Sequence, residues 1–353
     1  MGTTRTPTGP AVATDGGVGL RGPSLGPARA WVAASPQPSS APWSQVLGAQ
    51  RDDGSWGAAD DWPRRALPTL WTASTLAELD HLGELDRAGP PAAGAGPVRR
   101  PAAVDVRAAC AAALHFLGDR ALTDEGVFSR DGTPAGVLAC YVAIAATTFL
   151  LGGRTDLAAP QVDWILRYQD VRVQGRSRRG DPDVYHPGLA TRYGGCLAST
   201  SCVIGVVKAG RALRLWRDLT DPRDDDRAAQ VRDMLHVVRG ALLERELMYT
   251  HSHDILPLGT RADRAADWLA PTFPLDWRTD LVEVVGQVAG TGPPDARMQP
   301  ALDHLAQTQL PTGGWPLRRT FWPSGFPPLE PRSRAASRLA TLRVLDALTP
   351  LGE

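Results

Sequence analysis

Residues 47–57 read LGAQRDDGSWG, and the skeleton Q-x3-G-x-W inside them returns near the other end of the chain in TQLPTGGWPL, residues 308–317. Gln50, Gly54 and Trp56 of the first copy correspond to Gln309, Gly313 and Trp315 of the second. Each copy closes a stretch with helical periodicity. A glutamine near a helix C-terminus can hydrogen-bond the backbone of the following turn, glycine supplies a positive-φ bend, and tryptophan covers apolar area where the chain reverses. The same corner written twice predicts an architecture that repeats a helical hairpin.

Working outward from these corners, apolar residues recur at three- and four-residue intervals and alternating β-branched runs are scarce, which predicts an all-α protein. Helices are expected over 41–50, 67–83, 103–118, 133–152, 156–170, 194–217, 225–249, 276–290, 295–309 and 333–348. They alternate in character. AAVDVRAACAAALHFLGD, LAAPQVDWILRYQD and DARMQPALDHLAQTQ carry charges on one side, as outer helices facing water do. TPAGVLACYVAIAATTFLLGG and GGCLASTSCVIGVVKAG are apolar or small nearly all round, as covered inner helices are. Outer and inner alternate about five times at a period of roughly 60 residues, and closing such hairpins into a ring removes the need for capping repeats. Middle corners are eroded, to EGVFSRDG around Gly126 and Phe128 and to Gln169 before an arginine-rich loop.

Composition sets further bounds. The chain has 353 residues, with 38 basic and 38 acidic side chains and no basic stripe, so the electrostatic footprint of a nucleic-acid binder is missing. Lys208 stands alone as lysine among arginines, a bias expected of a GC-rich bacterial genome. Four cysteines and no secretory signal point to a reduced, cytoplasmic setting. The most apolar run, residues 136–151, falls short of the roughly 20 residues of a membrane span, so no transmembrane segment is expected. Residues 1–26 are rich in Gly, Pro, Thr and Ser and read as a disordered tail. Residues 27–353 then form a single domain, with a flexible loop at 87–101.

The Q-x3-G-x-W units resemble the QW repeats of squalene-hopene cyclases and their relatives, the class II terpene cyclases and protein prenyltransferase β subunits. The order of CYVAIAATTFLLGG, WILRYQD, SCVIGVVKA, FPLDWRTDLVEVV and SRLATLRVL is similar to that of bacterial squalene-cyclase and prenyltransferase repeat proteins. This resemblance spans roughly residues 40–348. It implies an α/α toroid of about five helical hairpins, with a central cavity near the N-terminal ends of the inner helices. It also implies an apolar small-molecule substrate of isoprenoid type, although fold alone does not give function.

The D-x-D-D acid motif of class II cyclases is missing; DPRDDDR at 221–227 has other spacing and starts an outer helix. Without it, Asp280, Tyr141 and His251 are the candidate catalytic groups, with Trp71 and Trp277 as aromatic lining and Arg278 and Arg338 as binders of an anionic head group. The prenyltransferase likeness implies a second chemistry, zinc held by Cys140, Cys202 and His253. Thr200 stands where that family's pattern has an aspartate. Two readings of the cysteines therefore stand, zinc ligands or small buried residues that let helices approach. Two readings of the whole also stand: a terpene cyclase- or prenyltransferase-like enzyme, or a non-catalytic toroid that binds a lipid or a partner protein.

Overall fold

A computed structural model of the chain describes residues 19–35, 40–86, 103–169, 171, 202–220, 225–250, 252–256, 268–321, 326, 328–330 and 332–352. Among these residues the fold is all-α, its one sheet being the two-residue pairing of β1 (Trp315–Pro316) with β2 (Ala336–Ser337). Five helices form an outer layer: α2 (Ser40–Gly48), α4 (Ala103–Arg120), α6 (Thr155–Tyr168), α8 (Asp225–Leu243) and α10 (Gln299–Thr308). They alternate along the chain with five inner helices: α3 (Trp62–His81), α5 (Ala139–Leu151), α7 (Val203–Leu219), α9 (Leu281–Ala289) and α11 (Arg338–Leu348).

Each inner helix packs on the next, α3 on α5, α5 on α7, α7 on α9 and α9 on α11. The ring closes where Leu339 and Ala340 of α11 join the core of Leu70 and Leu76 of α3. Burial follows the sequence character. All nine residues of α9 are buried, and on α6 burial is confined to one face around Ala158, Val162 and Ile165. The architecture is therefore an α/α toroid.

The corners share one backbone form. Arg51, Thr123, Thr250 and Leu310 each donate an N–H to the carbonyl four residues on, at 2.9, 2.8, 2.7 and 2.9 Å. The fourth residue of each turn lies at positive φ: Gly54 at 84°, Gly126 at 76°, His253 at 62° and Gly313 at 95°. Gly54 and Gly313 are also held by space, since a Cβ would meet the Ala112 carbonyl oxygen at 2.4 Å or the Pro27 backbone at 2.6 Å. Gln50 Nε2 donates to Gly54 O at 2.9 Å and to Ala109 O of the next outer helix at 2.8 Å. At the eroded second corner, Gln161 reaches over from α6 and donates to Gly126 O at 2.7 Å. The tryptophans do more than cover apolar area. Trp56 Nε1 donates to Val46 O at 2.7 Å and Trp315 Nε1 to Leu305 O at 2.8 Å, carbonyls in the last turns of α2 and α10 where the helical ladder runs out.

The N-terminal region differs from expectation. Residues 25–34 form a further helix, α1 (Leu25–Ala34), packed against α11, and the boundary of the tail expected at residue 26 does not hold for residues 19–26. Ser24 and Gln309 exchange two hydrogen bonds, Ser24 N to Oε1 at 3.1 Å and Nε2 to Ser24 O at 2.8 Å. The last corner glutamine thus holds the N-terminal arm as Gln50 holds α4. Two inner helices begin later than periodicity predicts, α9 at Leu281 and α11 at Arg338, the latter because Ala336 and Ser337 before it pair as β2 with β1. Residues 1–18 and 87–102 lie outside the described residues.

Candidate active site

The inner helices run in one direction, so side chains three or four residues apart descend the ring axis in steps. At the N-terminal rim, Trp71 and Tyr141 meet edge to face, their centroids 5.4 Å apart. Tyr141, Ile204 and Trp277 pack around Leu138 and Cys140. One turn deeper, Thr75, Ile144, Lys208 and Asp276 line a cleft whose wall is completed by Phe273, Pro274 and Leu275. It encloses about 420 Å³ of empty space, its mouth included.

The floor is ionic. Lys208 Nζ donates to Glu283 Oε2 at 2.7 Å, and Thr279 Oγ1 donates to the same oxygen at 2.6 Å. Arg211 of α7 donates to Glu78 of α3, a bond that crosses the ring between helices that are not neighbours, and its Nη1 lies 3.6 Å from Glu283 Oε1. Arg343 of α11 holds Asp280 at 2.7 and 3.2 Å and approaches Glu78 at 4.0 Å. Burial by itself would raise the Glu283 carboxyl, but Lys208 and Arg211 outweigh it and bring it to about 2. Glu78 is shifted down in the same way, burial being overcome by Arg211 and Arg343. These carboxylates are charged and paired.

Asp276 is the exception. Its side chain is 12% exposed on the cleft and accepts from the Arg278 backbone N–H at 2.9 Å and from the Arg278 guanidinium. Burial still dominates and pushes the carboxyl above its ordinary value, against the opposing pull of Arg278 and Lys208. The Arg278 guanidinium lies over two rings, 4.7 Å from the Trp277 centroid and 4.2 Å from that of Phe321.

Neither a protein-family model nor a curated protein sequence matches the chain. Among solved structures, the chain is similar to a variant of the type II terpene cyclase MstE from Scytonema in complex with geranylgeranyl dihydroxybenzoate. The identity is 16%, the TM-score 0.34, and the match covers 92% of this chain and 97% of that one. A second variant of MstE, in the apo state, is similar at 14% identity and a TM-score of 0.33 over the same shares.

The residues singled out from sequence fall into three groups. Trp71, Tyr141, Trp277, Arg278 and Cys140 come together at the rim. Asp280 does not open on the cleft: it is fully buried as N-cap of α9, accepting from Glu283 N at 2.9 Å and Thr272 N at 2.8 Å as well as from Arg343. All its hydrogen-bonding capacity is used by structure. Arg338 likewise lies off the axis, 2% exposed, where it donates to Glu84 at 2.9 Å and to the Val32 carbonyl, tying α1 and the end of α3 to α11.

His253 takes the glycine position of the third described corner and stacks on Tyr249 at 4.2 Å. His253 of THSHD, met as part of a polar loop, belongs to a degenerate corner; His251 lies outside the described residues. Cys140 is buried, its thiol pushed up to about 12 by burial and then by the neighbouring Cys202, which caps α7. Among the described residues no three His, Cys, Asp or Glu side chains converge as metal ligands would. Cys140, Cys202 and His253 are thus not gathered as a set of three ligands. No helix among the described residues is long and apolar enough to cross a membrane.

Sequence reasoning missed Asp276 and the ionic floor. A signal was present: Glu78, Lys208, Arg211, Glu283 and Arg343 are charges set among apolar and small residues on the inner helices. Buried charges come paired.

Proposed function

We propose that the protein is a toroidal enzyme that takes an apolar, isoprenoid-type small molecule at its central cleft and begins its reaction by protonating an alkene from Asp276. The observation that carries this reading is a carboxyl shifted toward its protonated form on a cleft walled by Ile144, Phe273, Pro274 and Leu275, with the cluster of Trp71, Tyr141 and Trp277 one helical turn above it. Proton donation by a positioned acid needs such a group. The proton leaves Asp276 for the alkene carbon, and the new carboxylate is stabilised by Arg278 and by the field of Lys208. The carbocation formed faces Tyr141, Trp71 and Trp277, whose π faces stabilise positive charge in a dry site. The free interior has room for only about two waters, so the tip of a prenyl chain sits beside Ile144 and Phe273 while the rest lies along the rim.

Incubation with squalene, prenyl diphosphates and geranylgeranyl dihydroxybenzoate, followed by mass spectrometry, tests this. Expected is a product isomeric with one of the substrates, and loss of about 100-fold or more of that activity in Asp276→Asn. Saturable lipid binding with no product from any of them would instead favour a non-catalytic toroid. Full activity in Asp276→Asn would remove the assigned acid.

A further inference from the structure

The ring axis continues beyond the cleft floor. Behind Glu78, Arg211, Glu283 and Arg343, on the C-terminal side of the inner helices, lies a second hollow bounded by Arg214, Gln287 and Asp346. It encloses about 340 Å³ of empty space, its open end included, with room for about two waters. Glu283 and Arg211 line both spaces, so they form the partition between them.

Four polar atoms on this hollow's wall have no protein hydrogen bond: Gln287 Oε1, Gln287 Nε2, Arg214 Nε and Glu283 Oε1. Gln287 is 2% exposed, and its amide is pressed so closely on Gly210 that a Cβ there would lie 2.6 Å from Nε2. A buried amide with both ends unsatisfied calls for an occupant. Two of the four atoms need a donor and two need an acceptor, so the occupant both donates and accepts. Charge narrows it further. Arg211, Arg214 and Arg343 are balanced on this wall by Glu78, Glu283 and Asp346, and an added ion of either sign would be an unpaired charge in a low-dielectric site. Water meets every condition.

We infer that this hollow is a water-filled inlet which returns protons to the cleft acid from the face of the ring opposite the substrate mouth. Its role rests on the reading of Asp276 as the acid; its occupancy by water does not. Each turnover that releases its final proton to solvent leaves Asp276 as a carboxylate needing one proton. A hydronium in the inlet meets Glu283 Oε1, whose other oxygen holds Lys208 Nζ at 2.7 Å. Lys208 and Asp276 line the same cleft, which has room for about two waters; Lys208 gives a proton to a water there, which passes one to the carboxylate, as Lys208 takes one from the Glu283 side. The sum is one hydronium consumed, one water returned and one carboxyl restored. Glu283 and Lys208 end in the states in which they began.

The test uses the full chain and Gln287→Met, which keeps an unbranched side chain while removing both orphan atoms. A melting temperature within a few degrees of the unmutated protein shows that the variant is folded. In a crystal structure of the unmutated protein, water is expected within hydrogen-bond distance of Gln287, Arg214 Nε and Glu283 Oε1; a dry hollow overturns the inference. After a jump into D2O, the infrared carboxyl band of Asp276, assigned by its loss in Asp276→Asn, is expected to shift at least tenfold more slowly in Gln287→Met. Equal rates overturn the route. Absence of any protonated Asp276 band refutes the acid assignment instead and removes the inlet's role, while the density still decides its occupancy. With a turned-over substrate, the variant keeps its first turnover and loses at least tenfold in the steady state.

Discussion

Replacing Arg343 by methionine strands a carboxylate in the middle of the ring. Asp280 is 0% exposed and the guanidinium side chain 5%, and both Asp280 oxygens accept from it, at 2.7 and 3.2 Å. Arg343 also donates to the Thr272 carbonyl and approaches Glu78 at 4.0 Å. After the substitution Asp280 retains only the backbone N–H groups of Thr272 and Glu283, and Glu78 relies on Arg211 alone. Removing one partner of an exposed pair costs about 0.2–1 kcal/mol, whereas leaving a buried charge uncompensated costs about 3–5 kcal/mol. Burial on both sides selects the second figure. Urea unfolding is the assay, with an unchanged slope showing that the same surface is exposed in both proteins. The double variant Arg343→Met, Asp280→Asn should recover at least about 1 kcal/mol, since the stranded charge is gone and asparagine still caps α9. A loss below about 1 kcal/mol, or a double variant no more stable than the single one, would refute the account of the ionic floor.

Three further outcomes are expected. Gly313→Ala should lower stability by at least about 2 kcal/mol in thermal unfolding, because it combines a left-handed backbone with a Cβ 2.6 Å from the Pro27 backbone. Acid should weaken the fold through Glu283: its folded value of about 2 lies below the ordinary 4.5, so its contribution is complete above pH 4.5 and lost as pH falls toward 2. Glu283→Gln should flatten the stability profile in that window, which equilibrium unfolding at a series of pH values reads directly. His253→Gly should change stability by less than about 1 kcal/mol, since relief of a left-handed non-glycine residue offsets the lost stack on Tyr249.

The fold was legible because its markers are local. Gln50, Gly54 and Trp56 and their counterparts lie within single turns, and the alternation of one-sided and all-round apolar helices needs only neighbouring residues. The N-terminal helix escaped notice because LGPARAWVAA has a weak pattern and is held by a distant partner, Gln309, 285 residues from Ser24. The site was less legible for the same reason. Asp280 and Asp276 sit four apart in one segment, and nothing local says which is taken by Arg343, 63 residues on, and which faces the cleft. His253 was hard to read because a corner normally marked by glycine carries a histidine there.

The ionic floor follows from the geometry of a small ring. Five helices around an axis leave a central gap that short apolar side chains do not cross, while Arg, Lys and Glu carry their polar ends to its middle on apolar stems. Once there, they are stable only in balance, which is why Lys208, Arg211 and Arg343 meet Glu78, Asp280 and Glu283 in equal number. The partition they make sets the depth of the cleft. Ile204 at the rim and Arg211 in the floor are seven residues apart on α7, about 10 Å along a helix, which limits how far a prenyl chain can descend. Shortening Arg211 would deepen the cleft only by leaving Glu78 and Glu283 short of a partner, so substrate length and ring stability are coupled through the same side chain.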